Sequence, residues 1–166
     1  MYTTLPTGSV NRAPDPSDPY TTKPAKTVIT AFKACVDRFP DERAMALKRA
    51  VDPKHPKQLP KDWKFWTWRE YYTDCVRFAK TLLHLDCAPY STINCLGFNS
   101  PEWLTTNNGS ILAACIVAGI YTTNNPDACQ YISSHSNAVL LVCEGNAQLR
   151  KYQSIAGTLP SLKAIV

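Results

Sequence analysis

Thr92-Ile93-Asn94-Cys95-Leu96-Gly97-Phe98-Asn99-Ser100-Pro101-Glu102 holds the decision on the fold. Its first half is a short apolar run that reads as a buried strand, Thr92 to Phe98. Its second half is a helix start: a hydroxyl able to accept from the first turn, a proline whose fixed φ suits the first helical position, and a carboxylate near the positive end of the peptide dipoles. The same grammar returns downstream. Ile116 to Thr123 is β-branched and apolar, and Asn125-Pro126-Asp127 opens another helix, expected to end about Ser133. The helix from Pro101 is expected to reach about Val117, with Gly109 and Gly119 weakening it or allowing close packing. Ala138 to Cys143 reads as a strand, Ala147 to Ile155 as a helix and Leu162 to Val166 as a further strand. Strands alternating with helices predict an α/β fold, mostly parallel sheet flanked by helices.

Upstream, Thr67 and Glu70 form a T-x-x-E capping box. It opens a helix with Tyr71, Tyr72, Cys75, Val76, Ala79, Leu82 and Leu83 on its apolar stripe. Lys64 to Trp68 alternates as a strand. Val51 to Asp62, with three prolines and three lysines, is a loop. Ala44 to Arg49 is a short strand. Thr27 caps a helix carrying Val28, Phe32, Cys35, Val36 and Phe39, stopped by Pro40. Residues 1–26 hold five prolines and little apolar content, and are expected to be a disordered leader preceding one domain over 27–166.

The 166 residues carry a net charge of +5, 45% hydrophobic and 19% charged side chains. No apolar run approaches the roughly 20 residues of a spanning helix, and no secretory signal opens the chain. Residues 82–149 contain no lysine or arginine. Such a stretch is either a sheet layer buried on both faces or a surface facing further chain. The seven cysteines, at 35, 75, 87, 95, 115, 129 and 143, form no Cys-x-x-Cys pair, and Cys129, His135 and Cys143, the one set of candidate ligands, match no zinc spacing. Buried reduced thiols, and hence a cytoplasmic location, are expected. The basic residues match no nucleic-acid motif, so no nucleic-acid partner is expected. A weak peripheral attraction to anionic membranes, the endoplasmic reticulum among them, is.

No phosphate-binding glycine loop and no nucleophile elbow occur. His55, His84 and His135 each lack a positioned acid or nucleophile, with His84 on the polar side of its helix and His135 in a turn after the third. Trp63, Phe65, Trp66, Trp68, Tyr71 and Tyr72 form an aromatic cluster that serves either as core or as the wall of an acyl pocket. The residues by themselves name no reaction, and no catalytic, cofactor-binding or metal residue is assigned.

A resemblance supplies the reaction class. Phe65-Trp66-Thr67-Trp68-Arg69-Glu70-Tyr71-Tyr72 resembles the first core motif of the adenylate-forming enzymes. Leu96 to Trp103 resembles their Asn-x-x-Glu-Trp segment, and Ile111 to Tyr121 their second core motif. The continuation Gly119-Ile120-Tyr121-Thr122-Thr123-Asn124-Asn125-Pro126-Asp127-Ala128-Cys129-Gln130-Tyr131 is similar to the bubblegum-type long-chain acyl-CoA synthetases. The resemblance implies an incomplete N-terminal part of the adenylate-forming fold. It also implies fatty acid activation with Mg-ATP and coenzyme A, giving acyl-CoA, AMP and pyrophosphate. The family's phosphate loop, Thr-Glu pair, ribose-binding Asp and mobile-domain Lys all lie downstream of the matched stretch. This chain alone is therefore expected to be inactive and to bind none of those cofactors; the strand-like edge Leu162 to Val166, with a parallel sheet short of cover, is expected to make it self-associate. A non-catalytic binding or regulatory module and a free-standing flavodoxin-like domain are the alternatives.

Overall fold

A computed structural model describes residues 17, 24–50, 54–55 and 57–166. Most of the expected leader, residues 1–16 and 18–23, lies outside the described residues, as do residues 51–53 and 56 of the loop.

Four helix starts follow their local signals. Helix α1 (Val28–Arg38) begins where the Thr27 side chain accepts from the Thr30 amide. Helix α2 (Trp68–His84) has the complete capping box: the Glu70 amide donates to the Thr67 hydroxyl at 3.2 Å, and the Thr67 amide to the Glu70 carboxylate at 2.8 Å. Helices α3 (Pro101–Leu112) and α4 (Pro126–His135) are capped by Ser100 and Asn125. Helix α5 (Asn146–Gln153) lacks a side-chain cap and is followed by a 3-10 turn at Ala156–Thr158.

Helix ends depart from expectation. α3 stops at Leu112, not Val117, and β4 (Ile116–Ile120) begins after only three intervening residues. Ala114 turns left-handed at φ 59°. The Ala114 amide then bonds the Ile111 carbonyl and the Cys115 amide the Ser110 carbonyl, at 3.0 and 2.8 Å. This is the paired closure that normally recruits glycine. Asp86, at φ 51°, ends α2 in the same way. α4 runs to His135, so that residue closes the helix and does not stand in the turn after it; its ring stacks on Tyr131. Leu83, placed on the apolar stripe of α2, is 59% exposed.

Strands β1 (Arg43–Leu47) and β2 (Lys64–Thr67) make an antiparallel ribbon. Strands β3 (Thr92–Leu96), β4, β5 (Ala138–Cys143) and β6 (Ala164–Ile165) make a parallel sheet in the order β4-β3-β5-β6. The last strand is two residues long, shorter than the expected Leu162 to Val166. The chain leaves β3 in one direction to form β4, then crosses back over β3 to form β5. Right-handed crossovers therefore put α3 and α4 on opposite faces. Side-chain packing agrees. Ile93 and Leu140 pack with Ala79, Leu82 and Ala113 on the α2/α3 face. Leu96, Ile120 and Leu141 pack with Cys129 and Tyr152 on the α4/α5 face. A smaller core joins Phe32 and Val36 of α1 to Tyr71 and Cys75 of α2.

Burial accounts for part of the stretch without lysine or arginine. Ile93, Leu96, Leu140 and Leu141 are nearly inaccessible, yet Tyr90, Phe98, Ile116, Tyr121 and Tyr131 in the same stretch are exposed. The segment thus combines a sheet interior with an apolar outer surface.

All seven cysteines are free thiols, and five are buried. Burial raises Cys75 and Cys95 to about 12, and likewise the Tyr71 and Tyr152 hydroxyls to about 12. An acid whose folded value is raised holds its proton in the native state after the unfolded chain has released it. That stability is complete below the ordinary thiol value and is lost as pH rises toward 12. The urea midpoint under reducing conditions is therefore expected to be flat from pH 7 to about 8.5 and to fall steadily above it. Maleimide should label few thiols in the native chain at pH 8 and seven after denaturation. A midpoint that rises above pH 9 would contradict the burial of these groups.

Candidate functional site

In an open parallel sheet the helices that follow the strands diverge at the strands' C-terminal ends, leaving a crevice there. At the ends of β3 and β4 lies a cleft of about 500 Å³. Gly97, Phe98, Asn99 and Trp103 line one side, and Gly119, Tyr121, Thr122 and Thr123 the other. Two of the segments that carried the sequence resemblance, 96–103 and 119–131, thus meet across one cavity.

Contacts distant in sequence hold both walls. After β3, the Phe98 amide donates to the Glu144 carboxylate at 3.1 Å, and the Glu144 amide donates to the Leu96 carbonyl at 3.0 Å. Glu144 follows β5, so the loop is braced by the neighbouring strand. A Cβ at Gly97 would stand 3.3 Å from the Glu144 Cβ, and this close approach favours glycine. After β4, the Lys151 ammonium of α5 donates to the Thr122 and Asn124 carbonyls at 2.6 and 2.8 Å. The loop from Tyr121 to Asn125 is thereby tied to α5 while Asn125 caps α4. Trp103 reaches across to Gly119, where an added Cβ would meet its ring in ordinary contact at 3.4 Å.

At the first turn of α3, Arg49 makes a bidentate pair with Glu102, both contacts 2.8 Å. The hydrogen bond from Arg49 lowers the Glu102 carboxyl, and its reciprocal raises Arg49. Both side chains are more than half exposed, so the pair orients the chain between β1 and β2 against α3 and adds little stability.

The lining offers ring faces, hydroxyls and an amide. It can seat an apolar or aromatic group and hydrogen-bond its polar edge. Among the lining residues there is no carboxylate, imidazole, amine or thiol to move a proton or attack an electrophile. Phe98 and Tyr121 stand 68% and 82% exposed at the rim.

The candidate residues of the sequence are dispersed in the fold. Cys129 is buried on α4, His135 ends that helix at the surface and Cys143 ends β5. His84 is exposed at the end of α2. The aromatic cluster divides: Trp68, Tyr71 and Tyr72 pack around Phe32 with ring centroids 6.2, 4.9 and 5.6 Å away, while Trp63 and Phe65 are exposed. None of the six lines the cleft. Lys151 and Glu144 escaped the sequence reading. A faint signal existed for the lysine, since only three basic residues follow position 81.

The sequence profile of the family described as "AMP-binding enzyme" matches residues 32–166. The chain is 37% identical over 142 residues to the long-chain-fatty-acid–CoA ligase ACSBG2 of Gallus gallus, covering 85% of this chain and 17% of that protein. It is 35% identical over all 166 residues to the human long-chain-fatty-acid–CoA ligase ACSBG1, covering 21% of it. The chain thus spans about a fifth of the length of these relatives. In fold it matches the A-PCP didomain of carboxylic acid reductase from Segniliparus rugosus, solved with AMP, at a TM-score of 0.73 and 17% identity, over 87% of this chain and 21% of that one.

Proposed function

The chain belongs to the AMP-binding enzyme family, and from that membership we propose that it is the N-terminal part of an ATP-dependent long-chain fatty acid–CoA ligase. The observation that carries the substrate class is the 35–37% identity to long-chain-fatty-acid–CoA ligases over 85% or more of the chain.

In that reaction a fatty acid carboxylate oxygen attacks the α-phosphorus of ATP and expels pyrophosphate. The coenzyme A thiolate then attacks the acyl carbon and AMP departs. A carboxylate oxygen is a poor leaving group, and adenylation turns it into a good one. Residues 27–166 form one incomplete domain in this reading, preceded by the leader, and they shape the protein without supplying the chemistry. Glu144 and Lys151 hold the two walls of the cleft, and the rings of Phe98, Trp103 and Tyr121 give it an apolar surface. The charge stabilisation that dominates such catalysis needs donors aimed at the phosphates, and the motif segments that supply them in the family lie after the matched stretch. A cytoplasmic protein resting peripherally on membranes fits a substrate that partitions into lipid.

The test compares residues 1–166 with the same chain extended through a downstream phosphate loop and C-terminal domain. The extended protein is expected to release AMP in a manner dependent on palmitate and coenzyme A, and residues 1–166 to form no acyl-CoA above a heat-treated control. Turnover by the short chain would overturn the assignment of the chemistry to later sequence. AMP release with other carboxylates but not with long-chain fatty acids would overturn the substrate class.

A further inference from the structure

The positive charge of this chain has an address. Residues 43–64 contain seven lysines and arginines against Asp52 and Asp62, a net of +5, which equals the net charge of the whole protein. Everything else is electrically balanced. That segment is the β1–β2 ribbon with its connection, and the ribbon has two unlike faces. Met45, Leu47 and Trp66 are half-buried toward the body of the protein. Arg43, Ala46, Trp63 and Phe65 are exposed on the opposite side. Strand alternation divides Ala46 and Phe65 from Met45, Leu47 and Trp66, because side chains one residue apart point to opposite faces, and the register shift between Arg43 and Met45 turns Arg43 outward over Phe65.

On the outer face, cations and rings interleave. The Arg43 guanidinium lies 3.9 Å from the centre of the Phe65 ring, and the Lys48 ammonium 5.5 Å from that of Trp63. Next to them the connection presents the exposed Lys57, Leu59, Lys61 and Trp63 in alternation, with Leu59 56% and Trp63 53% exposed.

We propose that the outer face of the β1–β2 ribbon, with Lys57, Leu59, Lys61 and Trp63, is a docking surface for an anionic lipid membrane. Charge complementarity and apolar exposure both point there. Each lysine or arginine near an anionic bilayer adds about 1 kcal/mol of attraction. Tryptophan and leucine beside it bury apolar area at the headgroup boundary, where tryptophan is favoured. Either signal alone holds weakly, and together they anchor. A nucleic acid fits less well. Exposed Leu59 in the middle of the patch offers no stacking surface, whereas it adds apolar area at a headgroup boundary. The inference rests on charge and exposure and gives the peripheral membrane contact of the proposed ligase a defined surface. Vesicle binding needs neither ATP nor substrate, so its failure would leave the ligase reading standing.

Flotation of residues 1–166 with vesicles provides the test, since lipid-bound protein rises while aggregates sink. The chain is expected to float with vesicles containing one-third phosphatidylserine and not with phosphatidylcholine alone, and less at high salt. Lys57→Gln with Lys61→Gln should lower the partition coefficient about 25-fold, roughly fivefold per lysine. Leu59→Ser with Trp63→Ser should lower it about tenfold at every salt concentration. Lys26→Gln with Arg150→Gln removes the same charge elsewhere and should change it less than twofold. Far-UV circular dichroism checks that each variant folds. Three results would overturn the proposal: no preference for anionic vesicles, an equal loss in the Lys26/Arg150 variant, or no loss in the Leu59/Trp63 variant. Tight binding to single-stranded RNA that abolishes flotation at equal phosphate would overturn it in favour of nucleic acid.

Discussion

Replacing Gly109 with alanine is expected to lower the unfolding free energy by about 2 kcal/mol, although alanine is the better helix former by about 1 kcal/mol. Gly109 lies inside α3, where the helix presses on α2. A Cβ there would stand 2.7 Å from the Cys75 carbonyl oxygen, 3.0 Å from Phe78 Cδ1 and 3.1 Å from Phe78 Cβ. The nearest of these atoms is backbone of a helix that is itself packed on two cores. It cannot step aside as the tip of a side chain would. The two helices must separate, and separation opens the contacts of Phe78 and Ala79 with the sheet. Overpacking of this kind costs about 1–3 kcal/mol or more, against the propensity gain. Valine adds two methyl groups and a stiff χ1, and Gly109→Val is expected to leave no cooperative thermal transition. Gly157→Ala is the control. Nothing lies within 4 Å of its Cβ position, and the change should be neutral within about 0.5 kcal/mol. Thermal unfolding decides the matter. A 2 kcal/mol loss lowers the midpoint by about 4–8 °C in a chain of this size. A Gly109→Ala variant as stable as the parent would mean that α2 and α3 are farther apart than described.

The second large effect belongs to Tyr152. Its side chain is completely buried on the α4/α5 face, and its hydroxyl shares a 2.8 Å hydrogen bond with the nearly inaccessible Ser133 hydroxyl. This bond joins α5 to α4 across 19 residues of sequence. Tyr152→Ala removes a ring from the centre of the layer and is expected to cost about 3–5 kcal/mol. Against a total of about 5–15 kcal/mol, that brings the chain near its unfolding threshold. Tyr152→Phe keeps the ring and loses only the hydrogen bond, for about 1 kcal/mol. Urea unfolding of both variants separates packing from bonding. Equal losses in the two would mean that the hydroxyl pair, and not the ring, organises this face.

Much of the architecture was legible because it depends on contacts close in sequence. A helix start needs a side chain to accept an amide two or three residues ahead, so Thr27, Thr67, Ser100 and Asn125 announced theirs. A strand buried on both faces needs a mostly apolar run, so β5 declared itself by an unbroken one and β3 by one broken only at the buried Asn94, and their alternation with helices implied a parallel sheet. Tertiary structure decided the rest. α3 closes on Ala114, left-handed without being glycine, because the sheet requires β4 to begin at Ile116; no local signal marks that stop. The order β4-β3-β5-β6 depends on which way each crossover turns, and periodicity does not record it. The aromatic residues between 63 and 72 look alike in sequence, yet only packing against Phe32 separates the three of α2 that form a core from Trp63 and Phe65, which face outward. The cleft followed the same division. Its two walls carried recognisable motifs, while the clamps on them did not, since Lys151 reaches carbonyls 29 and 27 residues away and Glu144 braces an amide 46 residues away. Sequence patterns report interactions within a turn or a strand. Contacts that span the fold exist only once the sheet has brought distant segments together.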